Sequence, residues 1–219
     1  MKLPAPRPLL LAACLLVPVW GCGGSSPSTP STSQSSPSPS PTATTSPVSL
    51  DDMLADKVLG SATAPVAIIE YSSLTCPHCA SFHRDTLPQL RAAYIEVNRA
   101  RLVYRDFPLD PAALSAAMIA RCSGPRYFSV LELLFAKQNA WAWSADTVGA
   151  LKQAVSADMA AAEVDACLAN SELRAGILRI QEAGRSEHKV GATPTFIIGS
   201  QTLVGAYPFS TFDAILKGL

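Results

Sequence analysis

The sequence VAIIEYSSLTCPHC, at residues 66–79, joins an apolar segment to two cysteines that are separated by two residues. The apolar part, 66–72, follows Pro65 and has the length and composition of a buried strand. A strand that leads directly into a Cys-x-x-Cys turn predicts a helix that begins at the cysteines and runs to about Val97. The first turn of such a helix brings the two sulfurs close enough to form a reversible disulfide.

The segments that follow predict a second strand and then a long helical block. Residues 101–107 favour a strand that pairs parallel to the first, with the intervening helix as the crossover. Residues 110–188 are rich in alanine and are predicted to be helical. The candidate helix caps in this block are Asp110, Asp146, Asp158 and Ser171.

The end of the chain returns to a strand pattern. Residues 195–198 and 201–204 flank Gly199-Ser200, which is a two-residue hairpin signal, and a last helix is expected from Ser210. The predicted fold is therefore α/β: a thioredoxin-like core interrupted by an α-helical subdomain at about 110–188.

The two cysteines are expected to divide the chemistry between them. At the helix N-terminus, unpaired backbone N–H groups and the helix dipole stabilise Cys76 as a thiolate, the form that attacks disulfides. Cys79, one turn further on, is expected to be buried and to act as the resolving thiol. His78 can stabilise the thiolate through a hydrogen bond or a positive charge, which makes the disulfide a stronger oxidant. A solvated His78 without that role is the alternative.

Zinc sites also use this cysteine spacing, but the rest of the sequence does not supply one. No second Cys-x-x-Cys exists, and the only histidines are His78, His83 and His188. We therefore predict no metal and no other cofactor. The 17 basic and 17 acidic residues balance, and no Lys/Arg-rich run indicates a nucleic-acid partner.

Residues 1–22 predict export. Lys2 and Arg7 precede the apolar segment 9–20, which has the length of a signal-peptide core and is too short to span a membrane. A small residue followed by Cys22 resembles a bacterial lipoprotein signal, in which the cysteine is lipidated and becomes the mature N-terminus. The alternatives are lipidation at Cys14, after a shorter apolar core, and a non-lipid signal peptide that is cleaved nearby.

Residues 23–49 carry no charge and no aromatic side chain, and are almost entirely Ser, Pro, Thr and Gly. Such a segment is expected to be a disordered tether. It would connect a lipid anchor to a folded domain at 50–219. The expected location is the periplasm or cell envelope, at a membrane.

Thr193-Pro194 stands at the start of the predicted third strand, where proline removes a hydrogen-bond donor. A cis peptide bond at this position would turn the Thr193 backbone outward to pair with an extended client chain. An ordinary trans proline in a loop is the alternative.

Three motifs in this order resemble the DsbA family of bacterial disulfide oxidoreductases: IEYSSLTCPHC at 69–79, YRDFPL at 104–109 and GATPTF at 191–196. The resemblance covers residues 50–219. It implies that Cys76 is the nucleophile, Cys79 the resolving cysteine and Pro194 a cis-proline that faces them.

The resemblance also implies a buried acid at Glu70, beneath the cysteines, that can accept the proton of Cys79. A solvent-exposed Glu70 at the strand end is the alternative. His83 stands where the family often has a second acid. Thr193 is similar to the residue before the cis-proline in thioredoxin-fold isomerases and in some DsbA relatives. Both residues bear on the redox potential and on the partner that recycles the protein.

Cys122 and Cys167 remain in the predicted folded domain. In an oxidising compartment, with Cys76 and Cys79 paired, they most simply form a structural disulfide within the helical insert. A subgroup of DsbA-like proteins carries such a second bridge. Two separate buried thiols are the alternative.

Together these features predict an enzyme, an exported thiol–disulfide oxidoreductase that acts on protein or peptide thiols and disulfides. We expect it to be a dithiol oxidase that a membrane redox partner recycles, and to be a monomer because no spare ordered segment is available for dimerisation. A reductase or isomerase that a partner keeps reduced is the first alternative. A tethered metal- or chain-binding protein without turnover is the second.

Overall fold

The structure, a computed structural model, describes residues 48–219. The predicted signal peptide, the candidate lipidation sites Cys14 and Cys22, and the tether up to residue 47 lie outside the described residues. Within the described range no helix has both the length and the apolar character needed to cross a membrane.

Five strands form one mixed sheet in the order β1-β3-β2-β4-β5. The strands are β1 Lys57–Leu59, β2 Val66–Ser72, β3 Ala100–Asp106, β4 Thr195–Ile198 and β5 Gln201–Val204. As predicted, β2 and β3 are parallel, with Val66 opposite Ala100 and Ser72 opposite Asp106. The pairs β1–β3, β2–β4 and β4–β5 are antiparallel. Each of the two edge strands, β1 and β5, therefore runs antiparallel to its neighbour.

A continuous helical segment follows β2 and begins at the cysteine motif, as predicted. Its successive parts are α2 Pro77–Ser81, a π-helical turn Phe82–Thr86, α3 Leu87–Leu90 and a second π-helical turn Arg91–Ile95. It ends two residues before the predicted limit at Val97. Pro88 lies inside it without ending it.

The predicted helical insert between β3 and β4 is confirmed. Its helices are α4 Pro111–Cys122, a short 3₁₀ turn Gly124–Arg126, α5 Tyr127–Ala136, α6 Gln138–Trp141, α7 Thr147–Ala154, α8 Ala161–Leu168 and α9 Ser171–His188. A last helix, α10 Phe209–Leu216, packs against α3.

Two of the four predicted caps of the insert are correct. Asp110 accepts a hydrogen bond from the backbone N–H of Ala113, at 2.8 Å, and so caps α4. Asp146 caps α7 in the same way through Gly149, at 2.9 Å.

The other two predicted caps, Asp158 and Ser171, are wrong. The residue before α8 is Ala160, whose backbone N–H donates to the Glu163 carboxylate at 2.7 Å. The residue before α9 is Asn170, which accepts a hydrogen bond from the backbone of Leu173 at 2.9 Å. Because Asn is as good a cap as Ser, the residue type alone does not decide between these two adjacent positions.

Two short elements at the start of the domain were not predicted. Helix α1, Leu50–Leu54, is capped by Ser49, and β1 adds a three-residue antiparallel edge to β3. Every residue of β1 is only half-buried, so its sequence carries no clear alternation of apolar and polar residues.

The two faces of β2 pack against different helices. Ile68 belongs to the core cluster that contains Phe82 of the first π-helical turn and Phe212 of α10. Tyr71 lies on the opposite face, so close to α9 that a Cβ atom on Gly184 would come within 2.5 Å of its ring. Because side chains alternate along a strand, Glu70 shares the face of Ile68 and lies beneath the helical segment that carries the cysteines.

A buried ion pair joins the insert to the sheet. Arg121 of α4 donates through Nε to the carboxylate of Asp106, at the end of β3, over 2.5 Å. Its Nη1 atom donates to the carbonyl oxygen of Met53 in α1 at 2.6 Å. Both charged side chains are almost fully buried, so removing either one would leave an unpaired charge in the core.

Candidate active site

The two cysteines of the CPHC motif occupy the first turn of the helical segment. Cys76 is the residue before α2 and has an extended backbone, and Pro77 takes the first helical position. Both cysteines are free thiols and both are buried, with Cys79 completely inaccessible. The strand-to-helix junction therefore places the two sulfurs together beneath the surface.

The surroundings of Cys76 favour its thiolate. Its pKa is lowered to about 5, mainly by a hydrogen bond from the Cys79 side chain. Burial opposes this shift, while the neighbouring Thr193 side chain and the backbone N–H groups of Cys79 and His78 add to it. Cys76 is therefore ionised at neutral pH.

The surroundings of Cys79 favour its protonated form. Burial is the main cause that raises its pKa well above the ordinary value. The hydrogen bond to Cys76 and the negative charges of Cys76 and Glu70 raise it further. The pair thus consists of one thiolate and one thiol, as the division between nucleophile and resolving cysteine requires.

His78 contributes through its backbone. Its side chain is exposed, whereas its backbone N–H is among the groups that lower the pKa of Cys76. The hydrogen bonds among the described residues include none from the His78 ring to the Cys76 sulfur. The expected side-chain contact is therefore not part of this geometry.

The Thr193–Pro194 segment faces Cys76. The peptide bond between these residues is cis, and Pro194 is buried. The Cys76 sulfur lies 3.3 Å from the backbone carbonyl oxygen of Thr193. The segment is held in place by Gly205, whose backbone N–H donates to the carbonyl oxygen of Pro194 at 2.8 Å.

Glu70 is fully buried beneath the cysteines and has a partner that the sequence did not reveal. Its Oε1 atom lies 3.1 Å from Nε2 of His83, whose side chain is also buried. The resemblance to the DsbA family indicated only that His83 occupies the position at which the family often has a second acid. Its contact with Glu70 arises because the first π-helical turn packs across β2.

Two contacts from the helical insert hold the loop before Cys76, and neither was predicted. Gln138 of α6 is buried and donates through Nε2 to the carbonyl oxygens of Leu74 and Cys76, at 2.8 and 3.1 Å. Thr75 donates to the carboxylate of Asp110 at 2.5 Å. The insert therefore holds the backbone at Cys76 directly.

The remaining two cysteines of the domain form a disulfide inside the insert. Cys122, at the end of α4, is bonded to Cys167 of α8, with 6.1 Å between their Cα atoms. The sulfur of Cys122 also lies 3.6 Å from that of Met53 in α1. The bridge therefore connects two helices of the insert close to the start of the domain.

Comparisons with known proteins relate this chain to thioredoxin and to proteins named as protein-disulfide oxidoreductases. A family model described as "Thioredoxin" matches residues 53–218. A Rickettsia conorii protein named as a protein-disulfide oxidoreductase is 30% identical over 174 residues, which are 75% of this chain and 60% of that protein. A similarly named Rickettsia prowazekii protein is 37% identical over 91 residues, or 41% of this chain and 34% of that protein. The matches thus span less than two thirds of the length of each of these two relatives.

Solved structures resemble the fold over most of the domain. The crystal structure of Wolbachia pipientis alpha-DsbA1 superposes with a TM-score of 0.69 at 27% identity, covering 75% of this chain and 90% of that one. BdbD from Bacillus subtilis, in its oxidised form, has a TM-score of 0.68 at 17% identity and covers 78% and 95%. At that lower identity the second comparison concerns the fold alone.

Proposed function

Because this chain belongs to the DsbA-like family of thioredoxin-fold proteins, we propose that it is a thiol–disulfide oxidoreductase in which Cys76 and Cys79 are the reacting pair. The observation that carries the proposal is the opposite ionisation of the two cysteines. The pKa of Cys76 is lowered to about 5, and that of Cys79 is raised well above its ordinary value.

In the oxidase direction, the reaction begins with the Cys76–Cys79 disulfide. A client thiolate attacks the Cys76 sulfur, the bond between Cys76 and Cys79 breaks, and Cys79 leaves with the electron pair and takes up a proton. A second client thiolate then attacks the client sulfur of this mixed disulfide. Cys76 leaves as a thiolate, the client disulfide has formed, and the enzyme has gained two electrons and one proton.

The low pKa of Cys76 supports the oxidase direction. A thiolate that the protein stabilises is a good leaving group and makes the reduced enzyme the favoured state. The cis Thr193–Pro194 segment beside Cys76 is the proposed docking strand for an extended client backbone. The Thr193 carbonyl, 3.3 Å from the sulfur, would set the distance between client and nucleophile.

The proposal places the enzyme outside the cytoplasm. Residues 1–22 serve as a signal peptide of the lipoprotein type, Cys22 carries the lipid, and the tether runs from residue 23 to residue 47, just before Ser49 caps α1. The disulfide between Cys122 and Cys167 supports an oxidising compartment. A membrane redox partner would return the Cys76–Cys79 pair to its disulfide form, and the protein would act as a monomer in the periplasm or cell envelope.

A trapping experiment tests the activity. The variant Cys79→Ala keeps the nucleophile but cannot resolve a mixed disulfide, so it should accumulate client adducts in the producing cell that a reductant releases. The double variant Cys76→Ala/Cys79→Ala is the control and should carry none. Equal amounts of adduct on the two variants, or none on Cys79→Ala, would contradict the proposal.

A further inference from the structure

Ser72, the last residue of β2, carries a buried hydroxyl group without a hydrogen-bond partner. The residue is 1% exposed, and its Oγ atom has no partner within residues 48–219. The neighbouring Ser73 differs, because its hydroxyl group lies 3.2 Å from that of Thr75 and accepts the backbone N–H of Leu109 at 3.3 Å. A buried hydroxyl group without a partner is costly, so the surroundings of Ser72 must offer a compensating contact at some stage of its work.

The strand places the Ser72 side chain beneath the cysteines. Side chains alternate along β2, so Ser72 shares the face of Ile68 and Glu70, over which the helical segment packs. In the sheet Ser72 lies opposite Asp106 of β3, and its carbonyl oxygen accepts the backbone N–H of Phe107 at 2.8 Å. The backbone that carries the hydroxyl group is therefore held in place by the sheet.

The sulfur of Cys79 is the neighbour that can use this hydroxyl group. Burial raises the pKa of the Cys79 thiol well above its ordinary value, and Cys76 and Glu70 raise it further. The neighbouring Ser72 side chain lowers the same pKa. Tyr104 of β3 also lies near Cys79, but burial raises the pKa of its own hydroxyl group, so this ring stays neutral. Among these neighbours, Ser72 is the group that favours a negative charge on Cys79.

We propose that the Ser72 hydroxyl group donates a hydrogen bond to the Cys79 sulfur when that sulfur carries a negative charge. The proposal rests on the proposed function and concerns the step in which Cys79 leaves. In the structure Cys79 is a neutral thiol that donates to Cys76, and a neutral thiol is only a weak acceptor. A thiolate is a strong acceptor, so the contact forms as the charge develops. Because Ser72 acts on a reacting atom, it is a catalytic residue in this step.

The step balances with the client thiolate as the second reactant. This thiolate attacks the Cys76 sulfur, and the bond between the sulfurs of Cys76 and Cys79 breaks. The electron pair of that bond goes to Cys79, so the Cys79 sulfur is reduced while the client sulfur is oxidised. Ser72 keeps its proton and only turns its O–H bond toward the new thiolate. The thiolate later takes up a proton from water and becomes the thiol of the reduced enzyme.

A buried leaving group depends on such a donor more than an exposed one does. Cys79 is 0% exposed, so water does not solvate its developing charge. A hydroxyl group that the sheet already holds nearby stabilises this charge with little reorganisation. Ser72 therefore lowers the barrier for reduction of the enzyme disulfide and, in the reverse direction, for its formation.

The test measures how fast reduced glutathione attacks the Cys76–Cys79 disulfide. The oxidised full-length protein is mixed with excess reduced glutathione at a fixed pH, quenched with acid and analysed by mass spectrometry, which counts the adduct on Cys76 and the fully reduced protein. The variants are Ser72→Ala, which lacks the hydroxyl group, and Ser72→Thr, which keeps it. The control is Ser123→Ala, because Ser123 is also buried but donates to the carbonyl oxygen of Ala120 in the insert, at 2.7 Å.

In Ser72→Ala we expect the attack to slow at least about threefold, because the leaving thiolate has lost its donor. Ser72→Thr should recover most of the wild-type rate, and Ser123→Ala should match the wild type. Equal rates in Ser72→Ala and the wild type overturn the proposal. A Ser72→Thr variant that stays as slow as Ser72→Ala also overturns it, because the loss would then not follow the hydroxyl group.

Carbon NMR of the reduced protein, labelled at the Cβ atoms of cysteine and serine, gives a readout that a merely structural role would not move. Ser72→Ala should raise the midpoint of the Cys79 titration by about one pH unit, and an unmoved midpoint overturns the proposal. The wild type provides a check that needs no variant. Its Ser72 signal should shift over the alkaline range in which Cys79 loses its proton, and a signal that stays constant there overturns the proposal.

Failure of the proposed function gives a different result from failure of the Ser72 role. If glutathione forms no adduct on Cys76 of the wild type and does not reduce its disulfide, the proposed function itself fails. If the wild type and Ser72→Ala are reduced at the same rate and their Cys79 thiols titrate together, only the role of Ser72 fails.

Discussion

The sulfur of Cys76 lies 3.3 Å from the backbone carbonyl oxygen of Thr193, although the two residues are 117 positions apart in the sequence. They meet because β4, which begins two residues after Thr193, pairs with β2, which leads into Cys76. A client strand bound along Thr193 would therefore present its sulfur to the nucleophile. The same arrangement gives Thr193 an influence on the charge of Cys76.

Cys76 should react as a thiolate well below neutral pH. Its pKa is about 5, so the thiolate fraction is full above that value and falls as the pH drops through it. In the reduced protein, the rate of Cys76 alkylation by iodoacetamide should therefore reach half its maximum near pH 5. Cys79, with its raised pKa, should remain unmodified over the same range. A Cys76 that reacts only in alkaline solution would contradict this assignment.

Thr193→Val should raise the pKa of Cys76. The change removes the hydroxyl group that helps to lower this pKa while keeping the shape of the side chain. We expect the midpoint of Cys76 alkylation to move upward by roughly one pH unit or less. Thr202→Val is the matched control because Thr202 is exposed on β5, and it should leave the midpoint in place. Equal midpoints in all three proteins would contradict the role of Thr193.

Gln138→Ala should destabilise the domain through the active-site loop. It leaves the carbonyl oxygens of Leu74 and Cys76 without their buried donor, which costs about 1–3 kcal/mol in free energy of unfolding. Denaturant unfolding of the oxidised protein measures this loss. The neighbouring Asn139→Ala alters an exposed side chain and should cost far less. Similar losses in the two variants would show that the insert does not support the loop through Gln138.

Removal of the disulfide in the insert should affect stability without affecting the chemistry. The bridge closes a loop with a sequence separation of 45 residues. For Cys122→Ala/Cys167→Ala, the free energy of unfolding should fall by about 2–4 kcal/mol, since the unfolded chain is no longer constrained. The alkylation midpoint of Cys76 should stay the same. Two alkylatable thiols at these positions in the non-reduced wild type would show that the bridge is absent.

The sequence predicted those parts of the fold whose signals are local. The apolar strand before the cysteines, the helix that begins at them and the hairpin around Gly199-Ser200 all have the predicted positions. Each is specified by neighbouring residues: by a run of apolar residues, by a turn sequence, or by a change in the spacing of apolar residues from a helical to a strand pattern. Strand β1 was missed because three half-buried residues at a sheet edge carry too little pattern.

The contacts that complete the site could not be predicted because they join distant elements. His83 reaches Glu70 only when the helical segment crosses β2, and Gln138 reaches Cys76 only when α6 packs against the active-site loop. Neither residue has a local pattern that marks its partner. The position of Glu70 was available from the resemblance, whereas its pairing with a histidine required the packed structure.

The reduction potential of the Cys76–Cys79 couple, equilibrated with glutathione, tests the central claim most directly. The stabilised Cys76 thiolate predicts an oxidising couple, with a potential of about −120 mV. A potential of about −270 mV would contradict the claim, because a couple that reducing would donate electrons to its clients instead of disulfides.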